Sequence, residues 1–95
     1  MQDYQKLQIW QHGLTITKMI YNLCQKLPKN EEYILASQMK RASISIPTNI
    51  AEGASRRSKK DFRRFLEIAL GSAFELETEL IIDQRTQFGQ CYRSG

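Results

Sequence analysis

The sequence predicts an all-α fold, an antiparallel up-and-down helical bundle on a four-helix plan, from three observations. Three segments carry apolar residues at a near-3.5-residue spacing. The breaks between them hold Pro28 and a polar turn after Gly53. No stretch alternates apolar and polar residues as a half-buried strand does. The chain has 95 residues, 41% hydrophobic and 25% charged, the balance of one small globular domain spanning residues 1–95. Helices are expected over about residues 5–27, 31–52 and 59–85, with a tail at 86–95.

In the first helix the apolar residues fall on two adjacent stripes. One holds Leu7, Trp10, Leu14, Thr17, Tyr21 and Cys24; the other holds Ile9, Gly13, Ile16, Ile20, Leu23 and Leu27. Together they cover more than the ~100° arc that one core requires, so this helix should touch more than one neighbour. Pro28 ends it.

In the second helix Asn30 can cap the first turn, where Glu31 and Glu32 favour the helix dipole. The core stripe runs Leu35, Met39, Ala42, Ile46, Asn49, Gly53 and keeps its register straight through Pro47. The proline is therefore expected inside one bent helix rather than at its end. Uncompensated, its missing hydrogen bond and ring clash cost about 3 kcal/mol. Ser43 and Ser45 stand near enough to re-satisfy freed carbonyls. Gly53 is expected to cap the helix in a left-handed conformation.

Ser58 and Asp61 have the form of a capping box opening the third helix. Its stripe is Phe62, Leu66, Ala69, Ala73, Leu76 and Leu80, with Phe65, Ile68, Ser72 and Ile82 beside it. Gly71, Ser72 and Ala73 form a small-residue patch that suits close helix approach. Gly89 reads as a stop, leaving no room for another helix.

The net charge is +4, and its distribution says more than its sum. Residues 56–64 hold six basic groups (Arg56, Arg57, Lys59, Lys60, Arg63, Arg64) and one acid, Asp61. Residues 65–83 hold five acids and no base. Lys59 and Lys60 sit in a first helical turn, where the dipole disfavours a cation by a few tenths of a kcal/mol. A sequence shaped for stability alone would put acids there. Arginine forks suit phosphate oxygens, so this cluster, joined by Arg41 from the second helix, is the candidate nucleic-acid surface. Interleaved aromatics are lacking, and base-specific readout is not expected. The plainer alternative is a solvated turn.

Other residues read more simply. Asn49 should satisfy backbone groups near the bend, and His12 lies on a polar face without a second ligand at helical spacing. Trp10, Tyr21 and Cys24 share a core stripe. Glu75, Glu77 and Glu79 read as helix surface and as candidate cross-subunit partners, not as a metal site. The chain lacks a base beside a nucleophile, a Gly-rich phosphate loop and a facing carboxylate pair, so neither catalysis nor a cofactor is expected. Cys24 and Cys91 are too few and too far apart for a disulfide framework. With no apolar leader or membrane-length run, the expected setting is the reducing cytoplasm.

The segments LQIWQHG (7–13), SIPTNIAEG (45–53), the basic turn and DFRRFLEIALGSAFELETEL (61–80) together resemble one family. It is the small four-helix-bundle proteins encoded within intervening sequences of bacterial 23S ribosomal RNA genes, related to the accessory protein of diversity-generating retroelements. The resemblance runs from residue 4 to about 89. It implies an up-down-up-down bundle assembled as a ring-like homopentamer, with RNA binding as the usual proposal. The retroelement relative binds nucleic acid and its reverse transcriptase through a basic surface. One departure stands out: QFGQ (87–90) occupies the place of the turn before a fourth helix, which is expected to be missing or truncated here. Three helices with an uncovered apolar groove would be unstable in water, so either the chain is truncated, its gene is shortened, or neighbouring chains cover the gap. The expected function is a non-catalytic homo-oligomer binding RNA or DNA phosphates. The alternative is a scaffold whose charged patches dock subunits or a protein partner.

Overall fold

The computed structural model describes residues 3–27 and 33–94. A short 3-10 turn at Tyr4–Lys6 leads into α1 (Gln8–Gln25), followed by α2 (Tyr33–Ala54) and α3 (Lys59–Ser94). Asp3 starts the turn by accepting from the Gln5 N–H, and the Lys26 N–H closes α1 on the Leu23 and Cys24 carbonyls. The expected stop at Pro28 and cap at Asn30 lie outside the described residues. Among the described residues no helix is long and apolar enough to cross a membrane.

α2 is the central helix, with α1 on one side and α3 on the other, while α1 and α3 make no close backbone approach. The packing is antiparallel on both sides. Cys24 Sγ reaches the Ala36 carbonyl near one end of the α1–α2 contact, and Gly13 meets Pro47 near the other. Likewise, Ser45 faces Ser72 and Gly53 faces Phe62 and Phe65. The core between the helices is Ile20, Met39, Ala42, Ile46, Ile50, Ala69 and Leu76. Met39 at its centre has no solvent exposure, and truncating such a side chain to Ala typically costs ~2–5 kcal/mol.

Pro47 lies inside a continuous α2, as the unbroken stripe predicts. Its ring leaves the Ser43 carbonyl without a helical N–H. The expected compensation by Ser43 and Ser45 is not what the structure uses. Ser43 Oγ donates to the Lys40 carbonyl at 2.8 Å, and Ser45 Oγ is engaged with Ser72 Oγ at 2.7 Å. The freed carbonyl is met from α1 instead: Thr17 Oγ1 lies 2.8 Å from Ser43 O and 3.0 Å from Gly13 O. Having one proton, the hydroxyl shares it between these two acceptors. Gly13 lets α1 come this near, since a Cβ there would stand 3.2 Å from the Pro47 Cβ. Asn49 behaves as expected near the proline, its Nδ2 donating to the Ser45 carbonyl at 2.8 Å.

Three expectations are corrected. Gly53 is not a left-handed cap: α2 continues to Ala54 and no described glycine has a positive φ. Its role is close approach, because a Cβ would lie 2.8 Å from both Phe62 Cδ1 and Phe65 Cβ. Gly89 does not stop the third helix, and residues 86–94 are not a loose tail, for α3 runs on to Ser94. A glycine weakens a helix interior by ~1 kcal/mol but ends it only when it turns left-handed. Tyr21 leaves the core stripe. It is 37% exposed, with Lys40 Nζ 5.2 Å over its ring.

The buried seam of α3 is also displaced from the expected stripe. Ala69, Ser72, Leu76, Glu79 and Asp83 are buried, whereas Leu66, Ala73 and Leu80 are only partly covered. Of the small-residue patch, Ser72 makes the close contact to α2, while a Cβ at Gly71 would meet nothing.

Candidate nucleic-acid interface

The basic cluster is held at one end of the bundle by the turn that joins α2 to α3. Gly53 draws the two helices together there. The turn closes through Arg56 N–H to the Gly53 carbonyl at 3.1 Å and Ser55 Oγ to the Glu52 carbonyl at 2.6 Å. Ser58 then caps α3, its Oγ accepting from the Asp61 N–H at 3.0 Å, the N-cap half of the capping-box pattern. With both helix ends fixed, Arg56, Arg57, Lys59, Lys60, Arg63 and Arg64 all project into solvent from a short stretch of backbone.

These six are not equivalent. Arg56 pairs with Glu52 at 3.0 Å and lies 4.9 Å over the Phe65 ring, which fixes its direction. Arg63 reaches Glu67 at 3.7 Å, but both side chains are largely solvated, so this pair contributes ~0–1 kcal/mol at most. Arg57, Lys59, Lys60 and Arg64 have no acidic partner among the described residues. Lys59 with Arg63 and Lys60 with Arg64 form two i,i+4 rows of like charge, each mildly destabilising in an isolated helix. The arrangement leaves a positive field at one end of the molecule with little internal compensation.

A shallow hollow in this surface is lined by Arg56, Asp61, Arg64, Phe65 and Ile68. Phe65 is the residue that the linear sequence concealed. An aromatic does reach the patch, through helical spacing from Asp61 rather than by interleaving, and its face is occupied by Arg56. Arg41 is not brought to the cluster. It is exposed on α2, twelve residues before Gly53 and so about 18 Å away along the helix axis.

The acidic half of α3 divides as well. Glu75 and Glu77 are exposed, but Glu79 is 5% exposed, correcting its assignment to the surface. Its Oε1 is buried without a hydrogen-bond partner. Burial pushes the Glu79 carboxyl above its ordinary range, and the nearby Glu75 charge adds to the rise. Cys24 is a free, half-buried thiol pushed up by burial, with Lys40 acting in the opposite direction. Among the described residues no group of three His, Cys, Asp or Glu side chains stands ready to hold a metal ion. His12 is exposed on α1.

Comparison with known proteins bears on this surface through the whole chain. The family model described as 23S rRNA-intervening sequence protein matches residues 5–91, a span that includes α1, α2, the basic turn and nearly all of α3. No curated protein matches the chain.

Proposed function

The chain belongs to the family of 23S rRNA-intervening sequence proteins, and from that footing we propose a non-catalytic, homo-oligomeric bundle that binds RNA or DNA phosphates through its basic turn. One observation carries the reading. Four cations, Arg57, Lys59, Lys60 and Arg64, stand exposed around the start of α3 without acidic partners among the described residues, Lys59 and Lys60 in its first turn. Stability alone disfavours that placement, and a polyanion reverses the sign of the effect. Contacts of this kind fall on the nucleic-acid backbone, so they give affinity and position without base sequence. Repetition of a weak site over several subunits multiplies it through avidity. The proposed setting is the cytoplasm, in keeping with the free Cys24 thiol.

A second reading has its own support: Arg56 and Arg63 are already engaged by acids of the same chain. In that reading the charged ends dock subunits or a protein partner, and nucleic acid plays no part. The salt dependence of nucleic-acid binding separates the two, because only the first predicts binding at low salt that falls steeply as salt rises.

A further inference from the structure

The hollow lined by Arg56, Asp61, Arg64, Phe65 and Ile68 has two features that do not serve a phosphate. Ile68 is apolar and 43% exposed. Asp61 brings a carboxylate, with no ion pair to it among the described residues, to a place where it would repel a phosphate. The volume is 260 Å³, under the ~300–1,000 Å³ typical of sites for drug-sized molecules. Such a hollow suits a small, flat, uncharged group with an apolar face.

Arg56 supplies the surface on which that group would lie. Of the six cations it has the least freedom to clamp a phosphate, since its Nη2 already donates to Glu52 at 3.0 Å. Its guanidinium lies 4.9 Å over the Phe65 ring. One edge is thus held by a carboxylate and one face by an aromatic ring. With 46% of the side chain exposed, the opposite face is open to solvent. A guanidinium plane is a stacking partner for an unpaired base, and one already held in position loses less freedom on binding. A lysine in its place would carry the charge but not the plane.

We propose that an unpaired base of a single-stranded nucleic acid enters this hollow and stacks on Arg56, backed by Phe65, while its flanking phosphates lie on the neighbouring cations. The contact rests on the phosphate-binding reading and adds a ligand class to it, unpaired strands in preference to duplex. In a duplex the bases are stacked on one another and paired, so none reaches the hollow without being extruded. Stacking accepts every base, because each has a π-face. The preference is therefore for the state of the strand and not for its sequence.

The test compares strands of equal phosphate charge. Parent and Arg56→Lys are titrated at low salt with a labelled mixed-sequence single strand, a strand of the same length made of abasic spacers, and a duplex, each as RNA and as DNA. The parent should bind the base-bearing strand roughly tenfold more tightly than the abasic one, the scale of one stacked base, with a similar salt slope. Arg56→Lys should erase that advantage yet hold the abasic strand and the duplex as the parent does, because the charge is kept. Circular dichroism checks that the variant folds. The RNA and DNA arms tell which strand the hollow accepts, and the advantage in either one supports the contact. Equal binding of base-bearing and abasic strands overturns the stacking and leaves the phosphate surface standing. So does an advantage that survives Arg56→Lys, or a loss that falls on duplex and single strand alike. If no strand binds at low salt, the phosphate surface and the stacked base fall together.

Discussion

Thr17 Oγ1 lies 2.8 Å from the carbonyl oxygen of Ser43, the group that Pro47 leaves without its helical hydrogen bond. A defect in α2 is thus repaired by a side chain of α1, which couples the proline to the packing of the two helices. Ser43 is fully buried, so no water reaches the oxygen in place of the threonine. Thr17→Val should cost about 1–3 kcal/mol, the usual penalty for leaving a buried acceptor unsatisfied. In a Pro47→Ala background the same change should cost clearly less, since the backbone then supplies the missing N–H. A double-mutant cycle from chemical denaturation measures the difference, and equal costs in both backgrounds would show that the hydroxyl does not serve the proline.

Gly53 sets the distance between α2 and α3 at the basic turn. A methyl there would meet Phe62 and Phe65 at 2.8 Å, and Phe65 Cβ is not the far end of a flexible side chain. Gly53→Ala should therefore destabilise by about 1–3 kcal/mol, the range for overpacking, despite the better helix propensity of alanine. Thermal melts decide the sign. A more stable Gly53→Ala variant would contradict the close approach.

Glu79 makes stability depend on pH in a fixed direction. Its carboxyl is pushed above the ordinary range by burial and by Glu75, so the folded state favours the protonated form. The contribution is fully present below the ordinary Glu range and is lost as pH rises through the raised value. Glu79→Gln should then stabilise the protein at neutral pH, because the amide carries no charge to desolvate or to repel Glu75. The gain should fade toward pH 4. Melts of parent and variant across this range check it, and a gain independent of pH would assign the effect to something other than ionisation.

Much of this architecture was legible in the residue spacing, and its limits have physical causes. The Leu35-to-Gly53 stripe carried its register through Pro47, and α2 is continuous there, because periodicity reports which face is buried whatever happens to one hydrogen bond. The stripe of α3 was read a fraction of a turn away from the seam that is buried. Glu79 and Asp83 lie on that seam, and hydrophobicity cannot count acids as core. Leu66, Ala73 and Leu80, the residues that pattern favoured, are instead only partly covered. The spacing could not show that Thr17 would answer Pro47, that Gly53 would serve packing rather than a left-handed turn, or that Gly89 would remain helical. Each depends on what another element brings to the position. For the basic patch, the clustering of charge was plain in the sequence, but the separation of Arg41 and the arrival of Phe65 follow from helix geometry.

The central claim is that Arg56, Arg57, Lys59, Lys60, Arg63 and Arg64 form a phosphate-binding surface, and a salt titration of Lys59→Gln, Lys60→Gln against the parent tests it most directly. Fluorescence anisotropy with labelled single-stranded and duplex RNA, from low to physiological salt, reads affinity and salt slope together. The parent should bind at low salt and weaken with roughly one unit of log-log slope per phosphate neutralised. The double variant should lose both affinity and slope for every sequence alike, because backbone contacts carry no base information. Its melting temperature should stay level or rise slightly, since two cations leave a helix N-terminus. If the parent does not bind at low salt, or the double variant binds as tightly as the parent, the patch is a solvated turn and the phosphate-binding account is wrong.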